Sequence, residues 1–226
     1  MSYYCLESRN QIINAEYSED SALFFVDGLG AEYLGFLAER LSSHNDVVQI
    51  KIRVGRCNLP SVTKLNKDFL HGRRICAEMI ELDTLKHSPT PYPANILAEL
   101  GFLDTLPERL LRELTTVRKI ILCSDHGTSR LAVLARHSAL DESFPVTGRK
   151  VYKSGRYADA RAGDAQRFPT AVEYDGKTIF ADYARFVQKG STGSELHGGA
   201  SPEEVLVPII TIERKTETAN DLRKRL

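Results

Sequence analysis

Two short apolar segments of the chain each end in a turn that carries an aspartate. Residues 22–26 (ALFFV) are followed by Asp27 and a glycine, and residues 119–123 (KIILC) are followed by Ser-Asp-His-Gly. Short apolar runs that stop at such turns are typical of buried parallel strands. Open α/β sheets place their active sites beyond the carboxyl ends of the strands, so we expect Asp27, Asp125 and His126 to lie at such a site.

Strand and helix patterns alternate along the rest of the chain. Strands are predicted over residues 47–54 and 205–212, while residues 75–82 fit either a strand or a helix end. Pro208 inside the last strand favours an edge position or a bulge. This alternation predicts an α/β fold with a mostly parallel central sheet flanked by helices. The predicted helices cover residues 31–41, 63–70, 94–100 and 107–117.

Composition and charge narrow the class of protein. Of 226 residues, 42% are hydrophobic and 27% are charged, as in an ordinary globular domain, and the net charge is zero. The charged N-terminal residues do not resemble a signal peptide, and no apolar run approaches the roughly 20 residues of a membrane helix. We therefore expect a cytoplasmic protein without a membrane partner, whose four cysteines are reduced thiols.

One segment combines irregular sequence with local positive charge. Residues 138–170 are rich in glycine and charge and show weak periodicity, which indicates an irregular excursion or lid. Within it, residues 149–167 contain six Arg or Lys and two Asp. Such a local patch could contact nucleic acid even in a chain without net charge.

Seven residues with side chains that bind divalent metal ions occur along the chain. Asp83 and His87 have a D-x3-H spacing, which places both on one face if the segment is helical. His197 lies in the sequence Glu-Leu-His-Gly-Gly. Taken singly, an aspartate at a strand end could cap a helix, and a loop histidine could simply be solvated. The candidate ligands are Asp27, Thr63, Asp83, His87, Asp125, His126 and His197.

Thr63 is the candidate nucleophile. We expect it at the N-terminus of the helix predicted over residues 63–70, where the helix dipole would favour an incoming anion. A hydroxyl bound to a metal ion has a lowered pKa and can attack phosphorus. The alternative is a threonine that only caps the helix. Lys64, Lys153 and Arg156 are the predicted contacts to an anionic substrate.

The order of these residues resembles that of the alkaline phosphatase superfamily. The local sequences VDGLG, LPSVTK, SDHG and HGGASPEEVLVP resemble the PglZ domain of BREX-type phage-defence systems. The resemblance implies an alkaline-phosphatase-like PglZ catalytic domain over residues 21–212, between a connecting segment over residues 1–20 and a polar tail over residues 213–226. It implies other phage-defence proteins as partners. It also implies two metal ions, one held by Asp27, Thr63, Asp125 and His126 and the other by Asp83, His87 and His197.

Together these observations predict a metal-dependent phosphoesterase, closest to a phosphodiesterase or nuclease, with a phospho-threonine intermediate and a role in phage defence. Two divalent cations balance three aspartates and one threonine alkoxide, which leaves a neutral site that a phosphate can enter. The mixed Asp/His ligand set favours zinc, with manganese second. The alternatives are a metal-binding scaffold of a BREX-type complex with little turnover, a phosphomonoesterase, and a site with one metal in which Asp83 and His87 are structural.

Overall fold

A computed structural model describes residues 5–46, 48–134, 148–186 and 193–215 of the chain, apart from the side chain of Lys153. None of the helices in these ranges is long and apolar enough to cross a membrane. The helices are α1 Arg9–Glu16, α2 Leu34–Ser42, α3 Glu81–His87, α4 Ala94–Leu103, α5 Leu106–Glu113, α6 Leu131–Leu134, α7 Asp164–Arg167 and α8 Pro202–Val205. The strands are β1 Ser21–Val26, β2 Val48–Arg56, β3 Ile75–Met79, β4 Lys119–Cys123, β5 Tyr157–Asp159, β6 Ala171–Tyr174, β7 Lys177–Phe180 and β8 Leu206–Arg214.

The central sheet has five strands in the order β2-β8-β4-β1-β3. β1 is parallel to β3 and β4, but β8 is antiparallel to both of its neighbours, β4 and β2. The chain is thus α/β with a mixed sheet, and the prediction of a mostly parallel sheet is wrong. The reason is that β8 starts beside the end of β4, directly after the short helix α8, and therefore runs back along β4.

Pro208 lies inside a central strand, so the predicted edge position or bulge is also wrong. It pairs in regular register with Val54 of β2. The pairing of β8 with β4 starts only at Ile210. The missing N–H of Pro208 therefore interrupts no hydrogen bond between β8 and β4, which explains why a central strand tolerates it.

The inner strands of the central sheet, β1, β4 and most of β8, are buried on both faces. Phe24 and Ile120 point to one face, where they pack against α2, α4 and α5. Phe25 and Ile121 point to the other face, where they pack against α1 and the small second sheet. Burial on both faces explains why β1 and β4 read as continuous apolar runs, and the two layers hold the ends of these strands at one edge.

The structure decides one open sequence prediction and contradicts another. The segment over residues 75–82 contains both proposed elements, since β3 is followed directly by the start of α3. The helix predicted over residues 63–70 is absent from the described chain, which forms only two short 3-10 turns there, Thr63–Leu65 and Asp68–Leu70. Thr63 therefore does not lie at the N-terminus of an α-helix, and the predicted help from a helix dipole does not apply.

The predicted irregular excursion is largely folded where the structure describes it. A three-stranded antiparallel sheet, β5-β7-β6, packs on its own small core of Phe168, Phe180 and Phe186. Its strands are three or four residues long, which is too short for a clear alternating pattern in the sequence. Residues 138–147 of the excursion lie outside the described residues.

Candidate metal centre

The carboxyl ends of β1 and β4 lie side by side and bring Asp27 and Asp125 together. Phe25 pairs with Cys123 in the parallel register, so the turns that follow both strands start at the same edge. The backbone N–H of Gly28 donates to Asp125 Oδ1 at 3.2 Å. Asp125 is fully buried and Asp27 is nearly so. Two of the predicted ligands thus share one buried site because their strands are neighbours.

The helix α3 brings Asp83 and His87 to the same edge. Their atoms Oδ1 and Nε2 are 3.3 Å apart at the predicted i, i+4 spacing. Gly28 makes the close approach of α3 possible, because a Cβ at this position would lie 3.2 Å from Oδ1 of Asp83. Its φ of +74° is also unfavourable for other residues. The glycine after Asp27 therefore serves both the turn and the approach of the helix.

Three imidazoles meet at this edge. The rings of His126 and His197 are stacked with centroids 4.1 Å apart and an interplanar angle of 14°. The ring of His87 lies 5.0 Å from that of His197. The structure therefore brings together all three predicted histidines, although they come from three distant parts of the sequence.

Backbone carbonyls orient two of these rings. Nδ1 of His126 is 3.0 Å from the carbonyl oxygen of Gly127, and Nδ1 of His197 is 3.0 Å from that of Ser61. A carbonyl can only accept, so Nδ1–H donates and Nε2 keeps its lone pair in the neutral ring. Burial and the neighbouring His126 hold the pKa of His197 well below its usual 6.5. This arrangement is typical of histidines that bind metal through Nε2.

Thr63 lies against this cluster from the side that solvent can reach. Its Oγ1 is 3.0 Å from Nε2 of His126. The same Nε2 is 3.3 Å from Asp125 Oδ2 and 3.9 Å from Asp27 Oδ1. Thr63 is only partly buried, whereas His126 and Asp125 are fully buried. Thr63 is therefore, with Asp83 and His87, one of the partly exposed residues of the cluster that an incoming substrate can meet.

The donor set fits divalent metal ions. Within the described chain, four buried ligand atoms of the cluster have no hydrogen-bond partner, although such atoms are rarely left unpaired in proteins. Two groups have ligand atoms within 4.8 Å of one another, and His126 belongs to both. Mixed carboxylate and imidazole sets are typical of zinc and manganese sites. The atoms without a hydrogen bond are Asp27 Oδ1, Asp83 Oδ1, His87 Nε2 and Asp125 Oδ2. Asp83 Oδ1 and His87 Nε2 face each other at 3.3 Å, and Asp125 Oδ2 faces Nε2 of His126 at 3.3 Å. The two groups are Asp27, Asp125 and His126, and Asp83, His126 and His197.

Negative charge is crowded at this edge. Burial, together with the carboxylates of Asp125 and Asp83, raises the pKa of Asp27 to about 8. Burial alone would also raise the pKa of Asp83, but the contact with His87 and the two other imidazoles outweighs it and lowers this pKa to about 2. A bound cation would relieve the repulsion that favours protonation of Asp27.

The three residues predicted to contact substrate differ in their positions in the structure. Lys64 is exposed on the turn that starts at Thr63, and the side chain of Lys153 lies outside the described part of the structure. Arg156 is fully buried and forms a two-point ion pair with Glu204, Nε to Oε1 at 3.0 Å and Nη2 to Oε2 at 2.7 Å. Its remaining hydrogen bonds go to carbonyls of residues 180, 182 and 184. The prediction that Arg156 binds substrate is therefore corrected, because its donors are used inside the protein.

Arg156 instead supports the loop that carries His197. Its partner Glu204 accepts the backbone N–H of Gly199 at 2.9 Å. Ser61 joins this loop to the one that carries Thr63, since its Oγ donates to the carbonyl of Gly199 at 2.7 Å. The Ser-Pro-Glu-Glu sequence before β8 forms a capping box in which Glu204 takes part, a pattern that is visible in the sequence.

Asn66 holds the Thr63 loop in place of the expected helix. Its side chain is fully buried, and its Oδ1 accepts the backbone N–H of Asn58 at 2.7 Å. Its Nδ2 donates to the carbonyls of Asn58, Pro60 and Val62 at 3.1 to 3.2 Å. A buried asparagine that satisfies one loop in this way competes with helix formation, which explains the failed prediction.

Lys67 is a cation of the centre that sequence reasoning missed. Its Nζ lies 3.8 Å from Asp27 Oδ2 and 2.7 Å from Glu78 Oε1. It also lies 4.5 Å from the centre of the Phe25 ring. The position of Lys67 close to Thr63 in the sequence could have indicated this role. In the helix predicted over residues 63–70, however, its side chain would point in a different direction.

Comparisons with known proteins give limited matches. No protein-family model matches the sequence, and no curated protein is significantly similar to it. The solved structures that are similar to the chain include an inactive murine ectonucleotide pyrophosphatase/phosphodiesterase 5 in complex with AMP and the human protein of that name. Their TM-scores are 0.40 and 0.39, with 15% and 16% sequence identity. Each match covers 66% of this chain and 50% of the other, so the chain spans about half the length of these structures. Similarity at this level defines neither the family nor the activity.

Proposed function

We propose that this chain is a metal-dependent phosphoesterase that hydrolyses phosphodiesters through a phospho-threonine at Thr63. One observation carries the proposal: buried ligand atoms without hydrogen-bond partners converge beside the partly exposed Thr63, whose Oγ1 is 3.0 Å from Nε2 of His126. Three carboxylates at one edge would repel a phosphate, and bound cations would remove this repulsion. The order of the ligand residues supports membership of the alkaline phosphatase superfamily.

Two divalent ions would be held by the seven residues predicted from the sequence. When bound, they would neutralise the carboxylates and the phosphate and lower the pKa of the Thr63 hydroxyl. His126 faces both groups of ligands, so its assignment to one ion or the other is decided by the bound geometry. Zinc or manganese is the metal that suits this set. Asp27, Thr63, Asp125 and His126 would hold one ion, and Asp83, His87 and His197 the other.

The chain's own residues supply the nucleophile and one further charge. Oγ1 of Thr63 forms the bond to phosphorus while the bond to the leaving oxygen breaks; water then cleaves the phospho-threonine and restores the hydroxyl. Lys67 can bind a non-bridging phosphoryl oxygen, because its ammonium already faces the centre. The buried position of Arg156 removes one cation predicted to contact the anionic substrate, which favours a monoanionic diester over a dianionic monoester.

The proposal includes a role in phage defence, with other phage-defence proteins as partners. This part rests on the four PglZ-like sequences.

Nucleic acid is one candidate diester substrate. The basic segment over residues 149–167 offers less free charge than its sequence suggests, because Arg149 pairs with Asp164 and Arg156 with Glu204. A steep fall in binding with salt would identify nucleic acid as a ligand.

The test is hydrolysis of a chromogenic phosphodiester and its monoester analogue by wild type, Thr63→Val and Thr63→Ser. Zn²⁺, Mn²⁺ or a chelator is present. We expect diesterase activity that needs metal, is lost in Thr63→Val and is partly kept in Thr63→Ser. With the diester as substrate, one alcohol leaves, and the phosphoryl group that keeps its other ester substituent, trapped on Thr63 and detected by mass spectrometry, would identify the intermediate. Two bound metals without turnover of either ester would instead support the scaffold alternative.

A second candidate is a metal-independent hydrolase in which His126 acts as general base for Thr63. The 3.0 Å contact between Oγ1 and Nε2 favours it, because Nε2 is free to accept the hydroxyl proton. The same experiment separates the two functions. Activity that survives the chelator but is lost in Thr63→Val would support the metal-independent reaction.

A further inference from the structure

Lys86 is a fully buried charge next to the proposed metal centre. It lies on α3 between Asp83 and His87. A buried ammonium is costly unless its donors are satisfied. Its Nζ donates to Glu32 Oε1 at 2.9 Å and to Thr128 Oγ1 at 2.8 Å, and lies 3.6 Å from Glu195 Oε2. This charge is therefore held by several specific partners.

The partners of Lys86 come from three separate segments of the centre. Glu32 follows the turn after β1, Thr128 lies two residues after His126, and Glu195 lies two residues before His197. Thr128 also donates its hydroxyl proton to Glu195. One ammonium thus connects the segments that carry the imidazoles.

The backbone reinforces the same connection. The N–H of Glu195 donates to the carbonyl of Lys86 at 3.0 Å. Leu196 and Ser129 exchange a pair of backbone hydrogen bonds, at 2.6 and 3.1 Å. Because His197 directly follows Leu196, a shift of the Lys86 contacts would be transmitted to the ring of His197.

We propose that Lys86 is a positioning residue that holds His87 and His197 in the arrangement needed for the ion of the Asp83 group. This role rests on the proposed two-ion site. The ion of the Asp27 group depends less on Lys86, because Asp125 is fixed by other contacts, from Gly28 N–H and from the guanidinium of Arg9.

The test is a zinc titration of metal-free protein in competition with a chromophoric chelator, for wild type, Lys86→Met and Glu99→Gln. Glu99 is a matched control, since it is buried in the same polar cluster but bonds only to Tyr33 and Asn95 in the described structure. In Lys86→Met we expect one of two ions to bind roughly 10- to 100-fold more weakly, as when partners that orient metal ligands are lost. The other ion keeps its affinity, and Glu99→Gln keeps both.

Reference variants show which ion is affected. The weakened ion in Lys86→Met should be the one lost in Asp83→Ala and not the one lost in Asp27→Ala. Equal weakening of both ions, or the same loss in Glu99→Gln, would mean a general effect on the core and would overturn the role of Lys86. Unchanged binding of both ions in Lys86→Met would overturn it as well.

A second variant covers the case in which Lys86→Met does not fold. Thr128→Val removes the hydrogen bond from Lys86 and the one to Glu195 but leaves the charges in place, so it should weaken the same ion by a smaller factor. Unchanged binding in Thr128→Val would then overturn the role. Wild type that binds fewer than two ions would overturn the proposed two-ion function itself, an outcome distinct from two ions that are insensitive to Lys86.

Discussion

The guanidinium of Arg9 donates to the backbone carbonyl of Asp125, with Nη1 2.7 Å from the oxygen. A second, longer bond of 3.3 Å joins the same nitrogen to the carbonyl of Ser124. Arg9 belongs to α1 and is fully buried, with Phe69 packed 4.1 Å from its guanidinium carbon. The segment over residues 1–20, predicted as a connection, thus supplies a contact that holds the turn after β4.

Arg9→Met is expected to destabilise the metal-free protein by about 1–3 kcal/mol, because it leaves a buried carbonyl without a donor. It should also weaken metal binding, since the Asp125 turn loses its support. Urea unfolding and zinc titration measure the two effects. Arg53→Met is the control, because Arg53 pairs with Glu7 in a partly exposed ion pair, worth at most about 1 kcal/mol. Equal effects of both variants would contradict the role of Arg9.

Lys67→Ala is expected to weaken the binding of inorganic phosphate to the metal-loaded protein by roughly 10- to 100-fold, as the loss of a charge-assisted contact would. Its metal content should stay unchanged. Lys64→Ala is the matched control, since Lys64 is an exposed lysine on the neighbouring turn. Calorimetric titration with phosphate measures both variants. A larger effect in Lys64→Ala would restore the contact originally predicted from the sequence and contradict the assignment of Lys67.

Arg156→Met tests the corrected position of that residue. We expect a loss of about 3–5 kcal/mol in stability, because the buried carboxylate of Glu204 loses its partner. Urea unfolding measures this loss. Variant protein that remains folded and metal-loaded should keep the KM of wild type, because the donors of Arg156 are used inside the protein. A raised KM with unchanged stability would instead support direct substrate binding.

The ends of the buried strands could be predicted from the sequence. The apolar runs before Asp27 and Asp125 are long enough to identify β1 and β4, and their parallel pairing makes the two aspartates neighbours. The D-x3-H spacing likewise lies on a helix, α3. These features are local, so the pattern of a few adjacent residues determines them.

Features that depend on distant contacts could not be predicted. Asn66 folds the Thr63 loop through carbonyls up to eight residues away, against the helical pattern of that segment. The direction of β8 depends on where the small sheet returns the chain. Arginine and lysine usually lie at protein surfaces, and only the tertiary fold buries Arg9 and Lys86.

The pH dependence of stability should reveal Asp27 in the metal-free protein. Its pKa is raised by burial and nearby carboxylates from 3.8 to about 8, so the folded state keeps a proton that the unfolded state releases. The contribution of Asp27 to stability is therefore fully present below pH 3.8 and falls until about pH 8. His197, with its lowered pKa, gives the opposite slope only below its usual 6.5. Between pH 7 and 8, Asp27 changes the free energy of unfolding and His197 does not.

We therefore expect the free energy of unfolding, measured with urea in the presence of a chelator, to decrease from pH 7 to pH 8. Asp27→Asn cannot ionise, so it should flatten this decrease and keep any slope that other groups cause. Zinc binding to wild type at pH 7 should release a proton from Asp27, detectable as a binding enthalpy that depends on the buffer, and Asp27→Asn should release fewer protons. If the free energy of unfolding changes equally with pH in wild type and Asp27→Asn, Asp27 is already ionised in the folded protein. The repulsion between carboxylates at the centre would then be weaker than its geometry indicates.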